Sequence, residues 1–200
     1  MHYRATHGSG SSLAGPVSPV GSAAAFGVRA GAVLFATVLT ALAAQLSVPV
    51  PWTAVPFTMQ PAAVLLAGAV LGARRGALSQ VLYLLGGITG AAMFAWSPAL
   101  APGLARLAGP TGGFLLAFPA AAFAVGALAD RGWTRTAPRT AVALLTGLGA
   151  LYAGGASWTA LLAGPASVVA LWPFLASDLA KVAIMAAVLP AAARALERRS

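Results

Sequence analysis

Apolar residues run through this chain in long blocks with few polar interruptions, and the blocks approach the roughly 20 residues a bilayer-spanning helix needs. Six can be traced: Val28–Leu46, Pro61–Ala73, Gly76–Trp96, Gly112–Ala129, Ala141–Ala153 or a little beyond, and Pro173–Leu196. This pattern predicts an all-α membrane protein with six transmembrane helices, formed by a single domain over residues 27–200. Residues 1–26 are rich in Gly, Ser, Ala and Pro and read as a flexible tail, not as a signal peptide. His2 and His7 in that tail are isolated, so no metal site is expected there.

The breaks between blocks differ in character. Arg4, Arg29, Arg74, Arg75, Arg131, Arg135, Arg139, Arg194, Arg198 and Arg199 fall on one side of a six-span arrangement, and Arg106 alone falls on the other. By the positive-inside rule both termini are expected in the cytoplasm. On the outer side, SVPVPWTAVPFTMQP places Pro49, Pro51, Pro56 and Pro61 around Trp52 and Phe57. Proline fixes φ and removes a donor, so a stiff, extended connector is expected there. The other outer connections, SPALAPGLARLAGPTGG and a stretch around Gly154–Leu171, are also rich in Pro or Gly. GPTGG (109–113) lacks the Lys-Ser/Thr ending of a phosphate loop and reads as a tight turn into the fourth span.

Composition sharpens the class. Only 8% of residues are charged against 60% hydrophobic, whereas a soluble domain carries about 25% charged residues. The net charge of +9 lies between apolar runs and forms no basic stripe, so nucleic acid is not an expected partner. The chain has no cysteine, which excludes disulfides and thiolate chemistry. No nucleophile–base or metal-ligand set is visible, so an enzyme is not expected. An ATP-hydrolysing motif is also absent, and uphill transport would draw on a partner or an ion gradient.

Against this background Asp178 and Lys181 stand out inside the last apolar run. Spaced three apart, they share a helix face, and each charge costs roughly 2.5–3.5 kcal/mol on membrane-insertion scales. Either they neutralise each other at a helix interface, or they hold a polar ligand. Thr58 and Gln60 enter the second span, where Gln60 suits a ligand head group or a local helix cap. Gln80 and Tyr83 share a face of the third span. Ala32, Ala36, Thr40 and Ala44 form a small-residue stripe on the first, which suits close packing with a partner or with the protein's own bundle.

The segments VPFTMQ (Val55–Gln60), LLAGAVLGARRGALSQVLYLLGGITG (Leu65–Gly90), GPTGGFLLAFPAAAFAVG (Gly109–Gly126) and PFLASDLAKVA (Pro173–Ala183), in this order, resemble the BioY family. These are the substrate-binding S components of bacterial biotin transporters of the energy-coupling factor type. The chain departs from the family pattern at AAMFAWSP (Ala91–Pro98). The resemblance implies six helices, an outward-facing pocket, and biotin uptake across the cell membrane with a transmembrane coupling protein and ABC-type ATPase subunits. It implies no cofactor; biotin is the ligand. Asp178 is expected to meet the ureido N–H groups and Lys181 the valerate carboxylate or a bridging water. Gln60, Thr58, Tyr83 and Gln80 are further candidates, and Trp52 a gate. The stripe Ala32, Ala36, Thr40 is the expected contact with the coupling protein. A solitary biotin transporter and an S component for another vitamin are the alternatives.

Overall fold

The computed structural model describes residues 19–51, 53–97 and 100–197. The first helix, α1 (Pro19–Gln45), starts earlier than the apolar pattern suggests. Pro19 suits a first helical turn and Ala23–Ala25 propagate it, so the expected tail loses residues 19–26 to the helix. His2, His7 and Arg4 lie outside the described residues.

The proline-rich stretch after α1 pairs as an antiparallel hairpin, β1 (Ser47–Val50) with β2 (Thr53–Thr58). Ser47 faces Thr58 and Val48 faces Phe57, with an irregularity between Val48 and Val50. A two-stranded ribbon is all edge, so the missing N–H groups of Pro49 and Pro56 break no central ladder. Extended backbone was legible in the sequence; its pairing was not.

Two shorter helices follow, α2 (Gln60–Leu71) and α3 (Ala73–Ile88). They are joined by Gly72, whose φ of 78° an L side chain rarely adopts. Asp130, far along the chain, accepts the Ala73 N–H at 3.1 Å and so caps α3. A side chain on Gly72 would collide with that carboxylate. The third helix ends at Ile88, not near Trp96 as expected. Gly90, at φ 89°, turns the chain so that Met93 and Phe94 fold back onto Gly86 and Gly87.

A single turn, α4 (Ala105–Ala108), leads into α5 (Gly112–Ala129), with the 109–113 turn between them as expected. The next helix, α6 (Ala137–Ala163), runs ten residues past the expected end. Gly154 and Gly155 are packing notches, not breaks. The first receives Ala117 and the second the Phe114 ring. The third outer connection shrinks to Gly164 and a 3₁₀ segment, Pro165–Leu171, before α7 (Trp172–Glu197).

Helix α5 is the centre of the bundle. Ala121, Ala122 and Val125 are fully buried. Gly68 of α2 lies on the Ala122 carbonyl, Gly126 against the start of α3, and Gly147 of α6 against Val125 and Leu65. Small residues let these backbones approach closely, which is how helices gain van der Waals contact where no hydrophobic drive separates protein from lipid.

The α1 stripe faces inward. Ala36 and Thr40 are buried and Ala32 is half-buried. Thr37 donates to the Ser79 carbonyl at 3.0 Å, and Gln80 donates to the Thr40 hydroxyl at 3.2 Å. The stripe expected to meet the coupling protein is thus occupied at Ala36 and Thr40 by the protein's own bundle, with Ala32 left half-buried. The opposite face, with Leu34, Phe35, Val38 and Leu42, is the exposed one.

Among the described residues, α1, α5, α6 and the 3₁₀ segment with α7 supply four helical stretches long and apolar enough to cross a membrane. The helix α2 is apolar but has only 12 residues, and α3 has 16.

Candidate functional site

Strand β2 with the start of α2, the connection between α3 and α5 (Phe94, Ala95, Arg106 and Thr111), facing parts of α5 and α6, and the start of α7 meet at one end of the bundle. They enclose a pocket with about 740 Å³ of empty space, its open mouth included.

Asp178 and Lys181 line this pocket together. One α-helical turn brings Lys181 Nζ to 2.7 Å from Asp178 Oδ1, and the same ammonium donates to the Thr58 carbonyl at 2.8 Å. The other carboxylate oxygen, Oδ2, accepts the Tyr152 O–H at 2.9 Å. The pair is therefore anchored from three directions: α7 itself, α6 through Tyr152, and the hairpin through Thr58. Thr58 contributes its backbone oxygen, while its hydroxyl accepts the Gln60 N–H at 3.3 Å. The hairpin is held a second time where Phe57 stacks on Phe174, with ring centroids 4.2 Å apart.

Gln60 is buried at the pocket wall, and its amide donates to the Tyr83 hydroxyl at 2.6 Å. It ties α2 to α3, so the simple helix-cap reading does not hold. Tyr83 is fully buried behind it, between Phe94 and Phe118. Tyr83 reaches the pocket only through Gln60. Gln80 does not line the pocket: it is fully buried against α1, bonded to Thr40 and Ser79. Three residues separate it from Tyr83, yet the crowded α1–α3 seam captures one side chain and the pocket wall the other. Trp52 lies outside the described residues.

Sequence reasoning missed the second charged group. Arg106, on α4, is only 6% exposed and lines the pocket. Its guanidinium donates to the carbonyls of Ala101 (2.7 Å), Ala95 (3.0 Å) and Leu100 (3.3 Å). The Asp178–Lys181 contact is the one salt bridge among the described residues, so Arg106 has no acidic partner there. Burial lowers its pKa from the ordinary value, but an arginine keeps its proton under any working condition. A cation so buried and balanced only by carbonyl dipoles favours an incoming anion. The signal was present in its isolation from the other arginines. Tyr152 was also missed, although a tyrosine deep in an otherwise apolar helix needs a partner for its hydroxyl.

The remaining wall is apolar: Phe114, Leu115 and Phe118 from α5, Leu151 from α6 and Phe174 from α7. Phe114 meets the Tyr152 ring edge-on at 5.5 Å. Thr111, at the mouth of α5, carries a buried hydroxyl with no protein partner. Such a pocket suits a compact ligand with an apolar body, N–H groups for a carboxylate, and an anionic end for a guanidinium.

The chain is 37% identical over 147 residues to a probable biotin transporter BioY of Pyrococcus horikoshii, covering 72% of this chain and 83% of that protein. It is 34% identical over 163 residues to a biotin transporter BioY of Rhizobium etli, covering 76% and 86%. The crystal structure of the S-component for biotin from an ECF-type ABC transporter superposes with a TM-score of 0.74 over 89% of this chain and 95% of that one. At 19% identity that likeness concerns the fold. The sequence model of the BioY family matches residues 23–198, nearly the whole described bundle and every residue of the pocket, and the chain therefore belongs to the BioY family.

Proposed function

We propose that this protein binds biotin as the S component of an energy-coupling factor transporter and mediates its uptake across the cell membrane. The observation that carries the reading is the pairing, in one aromatic-walled pocket, of the Tyr152–Asp178–Lys181 cluster with the unpaired Arg106. Biotin presents a ureido head with two N–H donors and a carbonyl, an apolar thiophane body, and a carboxylate tail. Asp178 accepts from the ureido N–H groups, and Lys181 stays on the head group, where Thr58 and Asp178 already hold it. The carboxylate goes to Arg106 and not to Lys181, because Arg106 alone of the two lacks a counter-charge. Gln60 and Thr111 supply neutral polar contacts at the wall.

In this reading α2 and α3 also cross the bilayer, giving six spans with both termini in the cytoplasm and the pocket facing outward. The distribution of arginines supports that orientation. A transmembrane coupling protein and ABC-type ATPase subunits are the expected partners at the cytoplasmic side.

Calorimetry of the detergent-purified protein with biotin and with biotinol, in which an alcohol replaces the carboxylate, tests the ligand assignment. The parent should bind biotin more tightly, and Arg106→Gln should remove most of that preference while leaving biotinol affinity near the parental level. A well-folded parent that binds neither compound would sink the reading. Biotin uptake in cells with and without the ATPase and coupling subunits separates the S-component role from solitary transport.

A further inference from the structure

The last residue of α1 reaches across the mouth of the bundle. Gln45 Nε2 lies 3.2 Å from the Ala92 carbonyl and 3.1 Å from that of Phe94, besides 3.4 Å from its own helix at Ala41. Two residues on, the Ser47 hydroxyl donates to the Trp96 carbonyl at 3.4 Å. These acceptors belong to the 91–97 segment, which has no helix or strand of its own. Backbone carbonyls outside regular structure need donors from elsewhere, and those donors set where the segment lies.

The position of that segment matters to the pocket twice. Phe94 and Ala95 are wall residues, and the Ala95 carbonyl is one of three that orient Arg106. From below, Met93 and Phe94 rest on Gly86 and Gly87, where no side chain could be accommodated without displacing them. From the side, Gln45 supplies the donors. The glycines fix the height of the segment, and the Gln45 amide holds the peptide that carries the 94 carbonyl, next to the one whose carbonyl meets Arg106.

We propose that Gln45 is a positioning residue for Arg106. By holding the 92 and 94 carbonyls it keeps the neighbouring Ala95 carbonyl aimed at the guanidinium, and it thereby sets the preference for ligands with an anionic tail without touching them. The inference rests on the assignment of Arg106 to the ligand carboxylate. It makes the end of α1 part of the specificity apparatus, although Gln45 itself lies outside the pocket lining.

The test compares the full-length parent with Gln45→Met, similar in length but without a donor, and Gln45→Lys, which restores N–H donors at that reach. In the ligand-free protein, amide hydrogen exchange over 91–97 should quicken in Gln45→Met and return toward the parental rate in Gln45→Lys. In titrations, Gln45→Met should reduce the ratio of biotin to biotinol affinity by about fivefold, the order expected for losing one net hydrogen bond. Its biotinol affinity should stay within about twofold of the parent, because biotinol lacks the charged acceptor whose hydrogen bond to Arg106 is the strong one. Unchanged exchange, an unchanged ratio, or equal losses for both ligands would overturn the proposal, the last by reducing Gln45 to a general stabiliser. Should the parent bind neither ligand, the ligand assignment falls separately and the exchange comparison decides the role of Gln45 alone.

Discussion

Replacing Asp178 by Asn changes the site with almost no change of shape. The carboxylate accepts from Lys181 at 2.7 Å and from Tyr152 at 2.9 Å, with side-chain exposures of 8% for Asp178 and 16% for Lys181. Two losses follow. Ligand N–H groups exchange a charged acceptor for a neutral one, and hydrogen bonds to charged groups contribute about 1.5–3 kcal/mol. A neutral bond retains about 0.5–1.5 kcal/mol, so the loss is about 1–1.5 kcal/mol per bond and affinity for biotin should fall roughly 5- to 13-fold for each ligand N–H affected. Lys181 also loses its counter-charge and keeps only neutral acceptors, the Thr58 carbonyl and the new amide oxygen. Stranding one member of a buried pair costs about 3–5 kcal/mol when water is excluded, and less here because the pocket is open. The variant should therefore melt at a lower temperature as well as bind weakly. Adding Lys181→Met to Asp178→Asn removes the stranded charge, so stability should recover while affinity stays low. Calorimetry with biotin and a thermal melt of the same detergent preparations read both quantities. Biotin affinity within twofold of the parent for Asp178→Asn would refute the reasoning. So would a double variant that regains affinity along with stability, since the pair would then be structural only.

Thr111→Val keeps the volume of the side chain and deletes its unpartnered hydroxyl. Biotin affinity should fall about 2- to 10-fold with an unchanged melting temperature, and parental affinity would remove Thr111 from the site. Phe174→Ala removes the ring stacked on Phe57 together with apolar wall. Biotin and biotinol titrations should weaken in parallel, by at least the ~0.5–1.5 kcal/mol of an aromatic pair. Asp130→Ala deletes the cap on Ala73 at the far end of the bundle. It should lower stability by about 0.5–2 kcal/mol in a denaturation or melting comparison and leave biotin affinity alone. Gly147→Leu drives a side chain into Val125 and Leu65. Overpacking of about 1–3 kcal/mol should appear as a lower melting temperature and poorer recovery of folded protein.

The apolar blocks determined that the chain is helical and built for a membrane, because a segment with almost no charge cannot face water along its length. The three-residue spacing of Asp178 and Lys181 determined their contact, since helical geometry alone brings such a pair together. Proline determined that 47–58 is extended. Other features depended on what lies nearby in space, which no local pattern encodes. The outer connection was expected to begin around Gly154, but the helix runs on, and the lack of side chains on Gly154 and Gly155 serves Ala117 and Phe114 of the neighbouring helix. Gln80 and Tyr83 read as one face, but α1 claimed the first and the pocket wall the second. The stripe on α1 was legible as a packing surface, and only the bundle could say that α3 already occupies it. Arg106 shows the limit most clearly. Its isolation among the arginines was visible in the chain, but its meaning was not. The tertiary structure closed three carbonyls around its guanidinium and set it into the wall shared with Asp178 and Lys181. Local sequence governs periodicity and spacing along one element, whereas a binding site is assembled from elements distant in the chain, and packing decides which side chains meet there.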